Sequence, residues 1–225
     1  MCHLYGPMPL RVRVGVIPDA ARGVLWCPRS MSNSLTQILD RTFGHPRGLL
    51  GRFGGLAMAH GNAATELRIV ELASIESGET TLVVGPGPGR GLQAAAERAG
   101  RAIGVDPSPE MLARARRRCG DKVELRSGAA DSTGEPDESV DVVLSVNNVQ
   151  LWEDRAAGFA ELFRVLRPGG RLLLSSHEKW LPVSRHELAD EAAAAGFTDL
   201  QTWTWDPPGF GASLAAQLRA VKPTA

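Results

Sequence analysis

Lysine is almost missing from this 225-residue chain: of its 25 basic residues only Lys122, Lys179 and Lys222 are not arginine. The codon bias of a GC-rich genome explains that skew more simply than a guanidinium-lined binding surface does. Net charge is missing too, because 25 acidic residues balance the basic ones. Without a global basic field, the chain has no general hold on a nucleic-acid backbone or an anionic membrane surface. Aromatics make up 5% of the residues and do not interleave with a basic stripe, which argues against RNA stacking. Cys2, Cys27 and Cys119 form no C-x-x-C, and an odd count completes no disulfide framework, so a reduced, cytoplasmic protein is expected. No His/Cys/carboxylate cluster has metal-ligand spacing, and no metal is expected. No apolar run approaches the ~18 residues of a spanning helix, so no integral membrane segment is expected. Pro18, Asp19 and Arg22 interrupt any signal-like core. What remains, 43% hydrophobic residues over this length, fits one domain with a sizeable core.

Residues 1–30 show neither helical nor strand period and carry Pro7, Pro9, Pro18 and Pro28. They read as an irregular N-terminal extension, either a disordered tail or sequence upstream of a start at Met31. Residues 31–77 read as an N-terminal helical cover. It has a short helix at Thr36–Thr42, a glycine-rich segment from Phe43 to Gly61, and a helix from Ala63 to Ser74 capped by Asn62. Apolar anchors among the glycines suit a mobile cover or a loosely packed connection.

From residue 78 onward strands and helices alternate. Strands are predicted at Thr80–Val84, Arg101–Val105, Lys122–Arg126, Val140–Ser145 and Arg171–Ser176. Helices are predicted at Leu92–Ala99, Pro109–Cys119, Arg155–Leu166 and Arg185–Ala195. Ser108 before Pro109 makes an N-cap, and Ser184-x-x-Glu187 a capping box. This α/β pattern implies a largely parallel sheet with helices on both faces.

Within it, Thr81-Leu82-Val83-Val84 runs into Gly85-Pro86-Gly87-Pro88-Gly89, a turn with glycine at every second position, and a helical stretch follows. Such a turn brings backbone N–H groups against a ligand. Asp106 ends the next apolar run, 21 residues after Gly85, where an acid is placed to hold ribose hydroxyls. The pair describes a nucleoside-binding βαβ unit. A dinucleotide fingerprint fails when counted from Gly85 or Gly87; counted from Gly89 it reaches Ala94, but that frame starts well past the strand end. No lysine lies near enough for a phosphate-binding P-loop.

These segments resemble the class I S-adenosylmethionine (SAM) dependent methyltransferases, in particular their small-molecule, quinone-biosynthesis-like branch. The likeness runs from about Gly78 to Pro223. Gly85, Gly87 and Gly89 match the family's cofactor loop, and Gly104 to Met111 match the motif whose acid holds the ribose. Asp137 to Asn148 resemble its fourth strand and following loop, and Leu162 to Leu174 its helix, turn and fifth strand. The resemblance implies a Rossmann-like, doubly wound, seven-stranded sheet, mostly parallel with one antiparallel C-terminal strand, and a methyltransferase domain over residues 78–225. It also settles the tail, Ser213–Val221, where propensity favours helix and alternation favours strand: the family ends in a strand there, with Asp199–Trp205 as its hairpin partner. Two departures stand out. The family's first-strand acid is replaced by Val83, and the acid that meets the adenine by Ala129, with Asp131 two positions on as a substitute.

The cofactor is then SAM, and the expected cofactor-binding residues are Gly85, Gly87, Gly89, Asp106, Ala129 and Asn147. Methyl transfer from a sulfonium needs alignment more than acid–base groups, and a base only for a protonated acceptor. His177, just after the fifth strand, is the first choice of catalytic base; an exposed loop histidine is the alternative. His60 is a second candidate, and His186 reads as a surface residue. Asn147 and Asn148 orient a ligand or stabilise a turn. Trp152, Trp180, Trp203 and Trp205 pack around an apolar acceptor or belong to core and rim. Asp141 reads as structural. The expected function is transfer of a methyl group from SAM to a small, apolar acceptor. The alternatives are a non-catalytic ligand sensor or partner subunit of the same fold and, on the Gly89 frame, an NAD-dependent oxidoreductase.

Overall fold

The computed structural model describes residues 63–208 and 213–224. The expected N-terminal extension, the Thr36–Thr42 helix, the glycine-rich segment and His60 lie outside the described residues. A helix over residues 63–73 (α1) leads into β1 (Thr80–Val84), α2 (Arg90–Ala96), β2 (Arg101–Asp106), α3 (Pro109–Cys119) and β3 (Glu124–Ser127). The second half runs β4 (Val140–Val146), α4 (Arg155–Val165), β5 (Leu166–His177), α5 (Arg185–Ala194), β6 (Thr198–Trp205) and β7 (Ala215–Val221).

The seven strands lie in the order β3-β2-β1-β4-β5-β7-β6. The β1–β2, β1–β4, β2–β3 and β4–β5 pairs are parallel. The last strand, β7, runs antiparallel to both β5 and β6, and it is the tail that sequence alternation marked. Tertiary packing overrides helix propensity there, because Leu218 and Ala220 lie fully inside the sheet's core.

Alternating strand residues feed two cores, as the two-residue period of a strand requires. Leu82, Val84, Ile103, Val143, Leu172 and Leu174 pack with Phe159, Leu162 and Val165 of α4 and Leu188 and Ala192 of α5. Val83, Val142, Leu144 and Leu173, on the opposite face, pack with Ile69, Val70 and Ala73 of α1, Leu92 and Ala95 of α2 and Cys119 of α3. Gly104 in β2 permits that close packing: a Cβ there would lie 2.7 Å from Leu92 and 3.2 Å from Pro86.

Two of the expected caps follow the sequence reading; the third, Asn62, lies outside the described residues. Ser108 Oγ accepts from the Met111 N–H, and Ser184 and Glu187 form the reciprocal capping box. Several boundaries differ. Helix α2 starts directly after Gly89 and ends at Ala96, because the chain must return Gly100 and Arg101 to the Glu79 carbonyl. Strand β3 starts two residues late, because Gly120–Lys122 forms a 3₁₀ turn after α3. Strand β5 starts early, at Leu166 beside Val140. The register then shifts through the Pro168-Gly169-Gly170 turn, where Gly169 N–H donates to Lys222 O at 2.8 Å.

Arg171 ties α1 to the sheet. Its guanidinium donates to the Ala73 and Ser74 carbonyls and pairs with Glu79 at 2.7 and 2.8 Å. Replacing Arg171 with Met is expected to cost about 1–3 kcal/mol in urea unfolding at pH 7. Hydrogen bonding to Arg171 holds the Glu79 carboxyl below its ordinary value. That contribution is present above the ordinary carboxylate pKa and is lost as pH falls through the lowered one. The difference between wild type and Arg171→Met therefore shrinks in acid; equal stabilities at pH 7 would remove the role.

Candidate functional site

Strand order reverses between β1 and β4, and ligands of open α/β sheets bind outside the carboxyl ends of the strands at such a reversal. Two loops meet there: Gly85–Gly89 after β1, and the residues from Asn147 onward after β4. Gly85 N–H donates to Val105 O at 2.8 Å, so the first loop leaves the sheet next to the end of β2.

Gly85, Gly87 and Gly89 all hold positive φ (67°, 52° and 88°), which side chains other than glycine rarely adopt. Their surroundings differ. A Cβ on Gly85 would lie 2.3 Å from Asn148 Nδ2, and one on Gly89 would lie 3.0 Å from Ala115 Cα in α3. A Cβ on Gly87 would meet no described atom within 4 Å. Gly87 is thus the glycine of the turn with clear space beside it. The loop is tied from outside by Arg118, which donates to Pro88 O at 3.0 Å, and Cys119 Sγ lies 3.5 Å from Gly89 O.

Asp106 ends β2 and is buried. One carboxylate oxygen accepts the Ser108 N–H at 2.8 Å, the turn that aspartate forms with a backbone two residues on. The turn also sets Ser108 as the cap of α3. Ala129 sits in the loop after β3, bonded backbone to backbone with Ser132 at 3.2 Å in both directions. Asp131 beside it is exposed and accepts from Ser132 Oγ. Val83, where the resemblance expects an acid, is buried among Ile69, Val70 and Leu92.

Across the reversal, Asn147 is buried at φ 50°, an uncommon conformation for a residue with a side chain. Its Oδ1 accepts the His177 backbone N–H at 2.9 Å, which orients the amide, and its buried Nδ2 has no hydrogen-bond partner among the described residues. Asn148 lies over Gly85 and is held by Trp152, whose Nε1 donates to Asn148 Oδ1 at 2.6 Å. Trp152 in turn stands edge-on to Phe159, with ring centroids 5.5 Å apart. Sequence reading singled out Asn148 and Trp152 separately but not this link, since nothing in the spacing shows which atoms meet.

His177 ends β5 opposite Ala215 of β7. Burial pushes its pKa below the ordinary imidazole value; a hydrogen bond with the Ser213 backbone opposes the shift, and Lys179 adds to it. Burial therefore favours the neutral ring. Beside it Glu178, Lys179, Ser213 and Leu214 line an open depression of about 460 Å³. Of the other candidates, Trp203 and Trp205 stand on the outer strand β6, and His186 is exposed on α5. Asp141 is structural, accepting from Thr80 N and Arg167. No group of three or more metal-binding side chains occurs among the described residues, and no described helix is long and apolar enough to cross a membrane.

Comparison with known proteins supplies the family. A family model described as a methyltransferase domain matches residues 82–174. The uncharacterized methyltransferase YdaC of Bacillus subtilis is 33% identical over 157 residues, 65% of this chain and 86% of that protein. An arsenite methyltransferase of Halobacterium salinarum is 39% identical over 110 residues, 46% of this chain but only 28% of the enzyme's length. A demethylmenaquinone methyltransferase of Tropheryma whipplei is 32% identical over 148 residues, 65% of this chain and 57% of that enzyme. Among solved structures, phosphoethanolamine N-methyltransferase 2 of Haemonchus contortus in complex with SAM has a TM-score of 0.68 at 20% identity, covering 84% of this chain and 60% of that one. That last likeness concerns the fold. The chain belongs to the class I SAM-dependent methyltransferases. It is a methyltransferase whose cofactor is SAM, with the Rossmann-like sheet that the sequence implied.

Selective NMR of the histidine ring is expected to show His177 titrating below the ordinary imidazole value. A titration above it would show that burial does not dominate its surroundings.

Proposed function

We propose that the chain transfers the methyl group of SAM to a small acceptor with an apolar body, across the β1/β4 reversal. One observation carries this reading. Gly87, with clear space beside it, and the fixed Asp106 carboxylate stand on one side, and the buried Asn147 Nδ2, without a partner among the described residues, on the other. An orphaned buried donor is costly without a ligand acceptor, so Asn147 fits a polar group brought in from outside.

SAM supplies the activated methyl carbon when bound. The chain's own residues bind and orient. Asp106, turned by Ser108, accepts from ribose hydroxyls, and the loop from Gly85 to Gly89 admits the cofactor's backbone-facing side at Gly87. Ala129 leaves room beside the adenine without offering it a side-chain acceptor. Asn147 donates to a carboxylate or acceptor oxygen at the mouth. His177, whose neutral ring burial favours, takes the proton of an acceptor that carries one. Leu214 lines the depression beside it, and Trp180 lies on the adjoining turn; both are about 40% exposed, which suits an apolar acceptor. Alignment of donor and acceptor supplies about 7–11 kcal/mol of the barrier in favourable cases. No nucleic acid enters this scheme, and neither does a metal.

The second reading, a ligand sensor or partner subunit, is favoured by one feature: Val83 and Ala129 leave two cofactor positions without carboxylates. Calorimetry combined with a methyl-transfer assay on a panel of small acceptors separates them, since a sensor binds SAM without turnover. Asp106→Ala is expected to weaken SAM binding by about tenfold or more, through loss of charge-assisted bonds. His177→Ala is expected to lower kcat at saturating SAM and leave SAM affinity alone. Unchanged SAM affinity in Asp106→Ala would defeat the placement of the ribose.

A further inference from the structure

Strand β1 brings no carboxylate to the glycine loop, yet one arrives there from elsewhere. Glu66, on α1, reaches the first turn of α2, where its Oε2 accepts the Gly91 N–H at 2.6 Å. The contact is close-built: a Cβ on Gly91 would lie 3.3 Å from both Glu66 Cβ and Oε2. Gly91 stands two residues past Gly89, so the bond fastens the far end of the cofactor turn to α1. We infer that Glu66 is the positioning carboxylate of the cofactor loop, holding the turn in place and contributing the negative charge that favours sulfonium-bearing SAM over its neutral thioether product, S-adenosylhomocysteine (SAH). This rests on the proposed seat of SAM at the Gly85–Gly89 turn.

Two observations support the role, and a consequence follows from the first. Glu66 as a residue is half-buried, but its carboxyl end is enclosed, and burial pushes its pKa up to about 7 against the lowering effects of the Gly91 N–H, Arg90 and Arg118. Among the described residues, the charged groups that face it are Arg90 on α2 and Arg118 on α3. Arg118 is also the side chain that holds the Pro88 carbonyl, so the same loop is gripped from both sides. Finally, an ionised Glu66 costs the fold stability. A carboxyl with a raised folded-state pKa favours the folded state while protonated, and that contribution is lost as pH rises through about 7. A purely structural acceptor of one N–H could be a neutral amide at no such cost. SAM differs from SAH by one positive charge close to the reacting atom, and a carboxylate fixed near the loop discriminates between them by Coulomb attraction.

The test is calorimetric binding of SAM and of SAH to the full chain between pH 6 and pH 8.5, with thermal unfolding measured in the same buffers. In the wild type, SAM affinity is expected to rise with pH through about 7, and SAH affinity to change much less. Glu66→Gln keeps an acceptor for Gly91 but removes the charge. It is expected to flatten the pH dependence and weaken SAM by about three- to tenfold at pH 8.5, with SAH nearly unaffected. The same variant is expected to unfold no earlier than wild type at pH 8.5. Glu66→Asp, which keeps the charge, should preserve the preference for SAM. A Glu66→Gln protein with the wild-type SAM-to-SAH ratio and pH profile overturns the role while leaving the seat of the cofactor intact. Equal weakening of SAM and SAH overturns the charge assignment. A wild type that binds neither ligand overturns the seat and the role together.

Discussion

The hydrogen bond from the Gly85 N–H to the Val105 carbonyl decides where the chain leaves the sheet, and the candidate site is arranged around that exit. It continues the β1–β2 ladder one residue beyond Val84 and sets the start of the glycine turn next to Asp106. On its other side β1 pairs with β4 up to Ser145, so Asn147 and Asn148 emerge at the same level. One central strand thus brings together a glycine turn, a fixed carboxylate and an oriented amide. The two cores behind it, fed by alternate residues of β1, hold that strand from both faces. Moving the register by one residue would exchange Val83 with Leu82 and Val84 and turn the site's floor inside out.

Much of this arrangement was legible in the sequence because it rests on local signals. The apolar run before the glycines, the acid after the second run, Ser108 before Pro109 and the Ser184–Glu187 box each have a mechanism that acts within a few residues. The β7 strand was legible by its alternation and by family resemblance, although composition alone argued for a helix. The long-range partners were not. Glu66 is separated from Gly91 by 25 residues, and nothing in the helical period of α1 distinguishes it from an exposed glutamate. The link from Trp152 through Asn148 to Gly85 likewise depends on loop conformation. It gives Gly85 a steric reason to be glycine besides its positive φ.

The two departures from the family pattern have different physical standing. Val83 points into the core shared with α1 and α2, so a carboxylate at that position would be buried among Ile69, Val70 and Leu92. Replacing it by an apolar side chain removes a charge from the strand, and the carboxylate that reaches the loop comes instead from α1. Ala129 belongs to a tight backbone turn with Ser132, and the exposed Asp131 beside it is taken up by the Ser132 hydroxyl. In the proposed seat of SAM, the adenine side would therefore rely on shape more than on charge, and the ribose contact would carry correspondingly more of the specificity.

A crystal structure of the full chain grown with SAH tests the central claim most directly. The account predicts ribose hydroxyls hydrogen-bonded to Asp106 and the nucleoside's tail crossing the open side of Gly87. A nucleoside bound elsewhere, or a turn at Gly87 closed by the protein's own side chains, would contradict it.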